Sequence, residues 1–91
     1  MKVSIITVCL NSEDTILDTL NSVLTQNYEN IEHIIVDGGS TDRTIYFLKN
    51  YNFKNKKILF KNKCSLYNSI NLGIKLATGD IISILHSDDI Y

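Results

Sequence analysis

The 91-residue chain has no proline and no tryptophan, and only four glycines and two cysteines. Without proline or a Gly/Ser-rich tract there is no linker, low-complexity segment or internal repeat, so residues 1–91 read as a single domain. Cys9 and Cys64 make neither a disulfide framework nor a metal-ligand pattern, which suits a reducing, cytoplasmic setting. No apolar run approaches the roughly 20 residues of a membrane helix. Met1-Lys2 leads directly into a strand-length run, Val3-Ser4-Ile5-Ile6-Thr7-Val8, without the small-residue cleavage site of a signal peptide. An excess of one charge is also missing. Nine basic against ten acidic residues leave a net charge of -1, which argues against a dedicated nucleic-acid binder. The hydrophobic share of 44% is an ordinary globular value and excludes a disordered tail.

What the chain does contain is an alternation of two hydrophobic periods. Short β-branched runs at 3–8, 34–36, 58–60 and 81–85 are nearly continuous in apolar character, as expected of parallel strands covered on both faces. Between them the spacing becomes helical. Ile16, Leu20, Val23 and Leu24 form one stripe, with Asn11 or Ser12 as candidate caps. Residues 41–50 carry Ile45 and Leu48 as an apolar pair behind Ser40, Thr41 and Asp42. A third stripe is Leu66, Ile70, Ile74 and Ala77, ended by Gly79. Alternating strands and helices predict a parallel α/β sheet of about four strands with flanking helices.

Ligands of such sheets sit beyond the carboxyl ends of the strands, where the strand order reverses. Small, polar and acidic residues gather at those ends: Cys9-Leu10-Asn11, Asp37-Gly38-Gly39-Ser40-Thr41-Asp42, Lys61-Asn62-Lys63-Cys64 and His86-Ser87-Asp88-Asp89. Asp37, on a backbone freed by two glycines, is a candidate acceptor for a flat ligand or, equally, a turn-forming residue. The glycines match neither the dinucleotide fingerprint nor a phosphate loop. Asp88 and Asp89 repel each other unless a cation joins them. Alternation along an extended segment divides their roles between a metal and a hydroxyl or backbone donor. As a local pattern, a solvated acidic loop is the commoner outcome. His33 and His86 lack ligand spacing and read as partly exposed, and five lysines between 54 and 63 read as a blunted sheet edge.

Taken together and in order, several motifs resemble the opening of family 2 glycosyltransferases. They are Val3-Ser4-Ile5-Ile6-Thr7-Val8-Cys9-Leu10-Asn11-Ser12, Ser22-Val23-Leu24-Thr25-Gln26 and Ile34-Ile35-Val36-Asp37-Gly38-Gly39-Ser40-Thr41-Asp42. Tyr67-Asn68-Ser69-Ile70-Asn71-Leu72-Gly73, Ala77-Thr78-Gly79-Asp80 and Leu85-His86-Ser87-Asp88-Asp89 continue the series. The resemblance implies the Rossmann-like N-terminal half of a glycosyltransferase A-type fold, binding a nucleoside-diphosphate sugar, in the first instance a UDP-sugar. It further implies that Thr7 and Asn11 line the nucleotide crevice, that Asp37 accepts from a uracil imide N–H, and that Asp88 lies near the ribose or sugar. Asp89 would bind Mg²⁺ or Mn²⁺ bridging the diphosphate, where the ion neutralises charge on the leaving group.

Two departures from the family pattern stand out. Lys61, Asn62, Lys63, Cys64 and Ser65 replace a stretch that commonly carries acidic residues and a glycine, and Asn68 stands where aspartate is usual. In inverting members the catalytic base comes from a later half, so the resemblance places no catalytic residue within these 91 positions. The expected whole is an inverting enzyme of polysaccharide synthesis acting on a glycan or lipid-linked acceptor, cytoplasmic or peripheral at the inner face of the membrane. The competing expectation is a truncated, non-catalytic module that binds a protein partner. An incomplete half is also expected to self-associate through exposed apolar surface.

Overall fold

The two hydrophobic periods resolve into seven elements in the computed structural model, which describes residues 1–26 and 30–86. They are β1 (Val3–Cys9), α1 (Ile16–Leu24), β2 (Ile31–Asp37), α2 (Thr44–Lys49), β3 (Lys56–Phe60), α3 (Leu66–Leu76) and β4 (Ile81–Ile84). All strand pairs are parallel, in the order β3-β2-β1-β4. The chain steps outward from β1 through β2 to β3, then returns to the far side of β1 for β4. The order therefore reverses between β1 and β4, and their carboxyl ends mark the crevice where such sheets take ligands.

Strand parity decides what each face buries. Ile5, Cys9, Ile31 and Ile35 point to the face covered by Ile16, Leu20 and Val23 of α1 and by Leu48 of α2. Ile6, Val8, Ile34 and Val36 point to the other, under Ile70, Leu72 and Ala77 near α3. Leu24 was expected in the α1 stripe but is exposed, because the stripe closes at Val23. No side chain caps α1. The Ser12 carbonyl instead accepts from the amides of Thr15 and Ile16 at 3.0 and 2.8 Å. Asp42 does serve α2 as anticipated, with Oδ1 accepting from Thr44 N at 2.9 Å.

The third stripe needs a larger correction. Leu66 and Ile74 are exposed, whereas Ser69 and Gly73 are the buried residues of α3. The cause is close approach: a Cβ on Gly73 would lie 2.5 Å from Ile6 Cγ2. Small residues let the helix axis settle onto β1 and β2, and that contact fixes its rotation. β4 also departs from expectation, because Ile81, Ile82 and Ile84 are all more than 40% exposed. Among the described residues nothing covers this sheet edge, while β3 at the opposite edge carries Lys56 and Lys57. No described helix is long and apolar enough to cross a membrane.

Two polar networks run through this apolar frame. Glu32, 1% exposed, accepts from Ser4 Oγ at 2.7 Å and Thr78 N at 2.9 Å, and pairs with Lys57 at 2.8 Å. Burial would raise its carboxyl, but Lys57, Thr78 and Ser4 outweigh that and hold it near 2, below its ordinary 4.5. His33, expected to be partly exposed, is fully buried. Its ring bridges Thr7 Oγ1 at 2.7 Å and Tyr51 OH at 2.8 Å, and burial lowers its pKa from 6.5 to about 3.

Two outcomes follow from this packing. Gly73→Ala, which improves an exposed helix, should here cost about 1–3 kcal/mol through overpacking. Combining it with Ile6→Ala should cost less than the sum of the two, as denaturant titration of the four variants would show. His33 stays neutral when folded but takes a proton near pH 6.5 when unfolded, so stability falls as pH drops below 6.5 towards 3. The slope approaches about 1.4 kcal/mol per pH unit. Melts between pH 7 and 5.5, where Glu32 with its ordinary value of 4.5 is almost wholly ionised in both states, should show it in the wild type and lose it in His33→Gln.

Candidate functional site

A cleft of about 440 Å³ opens at the reversal point, beyond the carboxyl ends of β1 and β4. Its walls include Asn11 and Ser12 after β1, Gly38 after β2, Cys64 before α3, Ser69 on α3 and His86 after β4. Four separate connections thus converge on one concavity, each at the end of a parallel strand or the start of the following helix.

The wall after β1 is held by the wall after β2. Asn11 has φ +49°, a left-handed conformation that asparagine tolerates better than most residues. That turn aims its amide at Ser40 Oγ, 2.9 Å away, and its Oδ1 at the Thr41 amide, 2.8 Å away. The Ser12 amide donates to Thr44 Oγ1 at 2.8 Å and the Glu13 amide to Asp42 Oδ2 at 3.2 Å. Successive amides of one loop therefore end on side chains of the other.

Asp37 anchors this arrangement from below. Its Oδ2 accepts from the amides of Gly39 and Ser40 at 3.2 and 2.9 Å. Its Oδ1 accepts from Ser40 Oγ and lies 3.5 Å from the Cys9 thiol. A carboxylate offers about four lone-pair positions, and each here has a donor. The turn needs Gly39, which has φ +108° and whose Cβ would meet Asn62 Oδ1 at 2.5 Å. Burial, with the nearby Asp37 carboxylate, pushes the Cys9 thiol well above its usual range, so it is no nucleophile.

Of the residues singled out from the sequence, Asn11 lines the cleft. Thr7 does not. It is fully buried and bonded to His33 on the α1 side of the sheet, two residues deeper than Cys9, which shares that strand face and does line the cleft. Asp37 lies beneath the cleft, 1% exposed, with its oxygens turned into its own loop. Asp88 and Asp89, two and three positions after His86 of the cleft wall, fall outside the described residues. No group of three potential metal ligands occurs among the described residues. Ser69 escaped the sequence reading. A buried serine one turn before a buried glycine, on a helix with larger apolar residues, is the signal that could have found it.

Comparison with known proteins gives a consistent neighbourhood. The glycosyl transferase family 2 model matches residues 4–91. An uncharacterized glycosyltransferase of Haemophilus influenzae is 35% identical over 97% of this chain, which covers 28% of that protein. The UDP-Glc:alpha-D-GlcNAc-diphosphoundecaprenol beta-1,3-glucosyltransferase WfaP of Escherichia coli is 39% identical over 96% of this chain and 35% of its own length. The crystal structure of Staphylococcus aureus TarS 1–349 in complex with UDP-GlcNAc superposes with a TM-score of 0.90 at 33% identity, over 99% of this chain and 27% of that one. The chain thus spans about a third of the length of the relatives it matches.

The loop clamp makes a direct prediction. Ser40→Ala removes both a donor to Asp37 and the acceptor of the Asn11 amide, and should cost about 1–3 kcal/mol. Hydrogen exchange at the Asn11 amide should accelerate while exchange within β2 follows only the global loss. Unchanged Asn11 protection would contradict the clamp.

Proposed function

The chain belongs to glycosyl transferase family 2 and has the fold of the N-terminal half of the A-type enzymes, and from that premise we propose that it is the donor-binding half of an inverting glycosyltransferase using a UDP-sugar. The observation that carries the proposal is the cleft itself: it lies at the strand-order reversal and is walled by Asn11, Ser12, Gly38, Ser69 and His86. About 440 Å³ falls within the range of pockets for small molecules and cofactors. Gly38 lets a planar base approach the backbone, and Asn11 and Ser12 offer polar groups at the rim. The donor named for WfaP and the ligand named for TarS are both UDP-sugars, which favours uridine here.

In this proposal Asp37 has two roles of unequal weight. Its four donors assign it to holding the loop. It would accept a uracil imide N–H only if one of them yields, and the Cys9 thiol is the weakest. Asp88 is assigned to the ribose or sugar and Asp89 to a Mg²⁺ or Mn²⁺ ion on the diphosphate. When bound, the ion offsets charge on the leaving group. Transfer to a glycan or lipid-linked acceptor, and the base that deprotonates it, belong to the remainder of the whole enzyme.

A second reading, a module that associates through its own surface, is favoured by one observation. β4 presents three isoleucines to solvent at an edge that no lysine or proline blunts. Sedimentation at rising concentration separates the two: a monomer throughout counts against self-association, and a dimer whose formation protects the cleft residues counts against the donor-site reading.

The primary test is titration of the 91-residue chain with UDP, with and without Mn²⁺, followed by amide shifts. Shifts should concentrate at Asn11, Ser12, Gly38 and Ser69, and Asn11→Ala should weaken binding by about tenfold, the equivalent of one polar contact. No perturbation at millimolar UDP would remove the donor-site assignment.

A further inference from the structure

The charges of this nearly neutral chain are strongly segregated. No carboxylate occurs between Asp42 and Asp80, and every lysine and arginine except Lys2 lies between them. Three of these lysines do not stand on a flat surface. Lys61 and Lys63, in the turn after β3, and Lys75, near the end of α3, line a groove of about 370 Å³. Asn68, Asn71, Leu72 and Lys75 supply its other wall, at positions i, i+3, i+4 and i+7 of one helix flank. The cleft uses a different flank, that of Leu66 and Ser69. Among the described residues only Cys64 lines both concavities.

Both ion pairs among the described residues converge on Glu32, from Lys2 and Lys57. Neither involves Lys61, Lys63 or Lys75, and no carboxylate among the described residues lines the groove. The groove thus combines uncompensated ammonium groups with amide side chains that donate from fixed helical positions. A second observation points the same way. Lys63 has φ +56°, a left-handed conformation that costs a side-chain-bearing residue energy and that glycine adopts freely. A position whose backbone favours glycine or asparagine instead carries a cation into the groove. Such strain persists where the side chain has a task.

We propose that this groove binds a phosphoryl group, as a phosphate or diphosphate ester, at a site separate from the donor cleft. Several ammonium groups with amide donors match the charge and the acceptor-only oxygens of a phosphate. The ester could be a soluble phosphorylated compound or the head group of an anionic lipid, since the chemistry presented to the lysines is the same.

The test uses inorganic pyrophosphate without divalent metal, at constant ionic strength, followed by amide shifts on the full chain. A parallel arm measures co-sedimentation with phosphatidylcholine vesicles with and without phosphatidylglycerol. Shifts at Lys63, Asn68 and Asn71 that weaken by about tenfold in Lys75→Gln would support a soluble ester. Binding to anionic vesicles alone, lost in Lys63→Gln and Lys75→Gln, would support a head group. Lys63→Gly is the decisive variant. It relieves the left-handed strain, so its Tm should not fall, yet binding should weaken as in Lys75→Gln. Shifts confined to Asn11, Gly38 and Ser69, or binding unchanged in Lys63→Gly and Lys75→Gln, would overturn the proposal. UDP titration reads different amides, so failure here leaves the donor cleft standing, and the reverse also holds.

Discussion

One buried carboxylate underlies the shape of the ligand-facing end. Asp37 spends its acceptor capacity on Gly39, Ser40 and Cys9, and through Ser40 it fixes the amide of Asn11. The loop after β1 is thus located by the loop after β2 together with the left-handed turn at its own Asn11. Removing a partner would leave a buried charge short of donors, which costs more than the bond itself contributes. The cleft inherits its definition from that constraint.

Much of the architecture was legible because its signals are periodic. Four short β-branched runs separated by helical spacing specify a parallel sheet, and strand ends rich in glycine, serine, asparagine and aspartate specify where a ligand goes. The details that failed share one cause. Periodicity says which residues lie on one face of an element, but not how closely that face approaches its neighbour. α3 was read from its largest apolar residues. Gly73 against Ile6 turned the helix so that Ser69 faces inward and Leu66 outward. Thr7 shows the same limit along a strand: a polar residue near the ligand end can lie one pleat too deep to reach it, here buried against His33 below Cys9.

The polar groups inside the sheet were the least legible part. Nothing in Ile31-Glu32-His33-Ile34 announces that both polar residues are buried, since burial of a charge depends on partners supplied from elsewhere. Glu32 receives them from β1, β3 and the turn before β4, through Ser4, Lys57 and Thr78. His33 receives them from β1 and the end of α2, through Thr7 and Tyr51. A slip of one residue in β2 would strand both groups on the wrong faces. The two networks therefore specify register in a sheet whose apolar residues alone would tolerate several alignments, and they lie away from the ligand end, where they do not compete with it.

Chemical labelling shows what the placement of the two cysteines makes accessible. Cys9 is enclosed, with its thiol held protonated by burial and by Asp37, and it should resist alkylation in the native state. Cys64 is half-buried and stands on the partition between the two concavities. The unmodified chain accordingly carries one addressable thiol where a fluorophore or spin label would respond to an occupant on either side. Reporter attachment there requires no engineered residue.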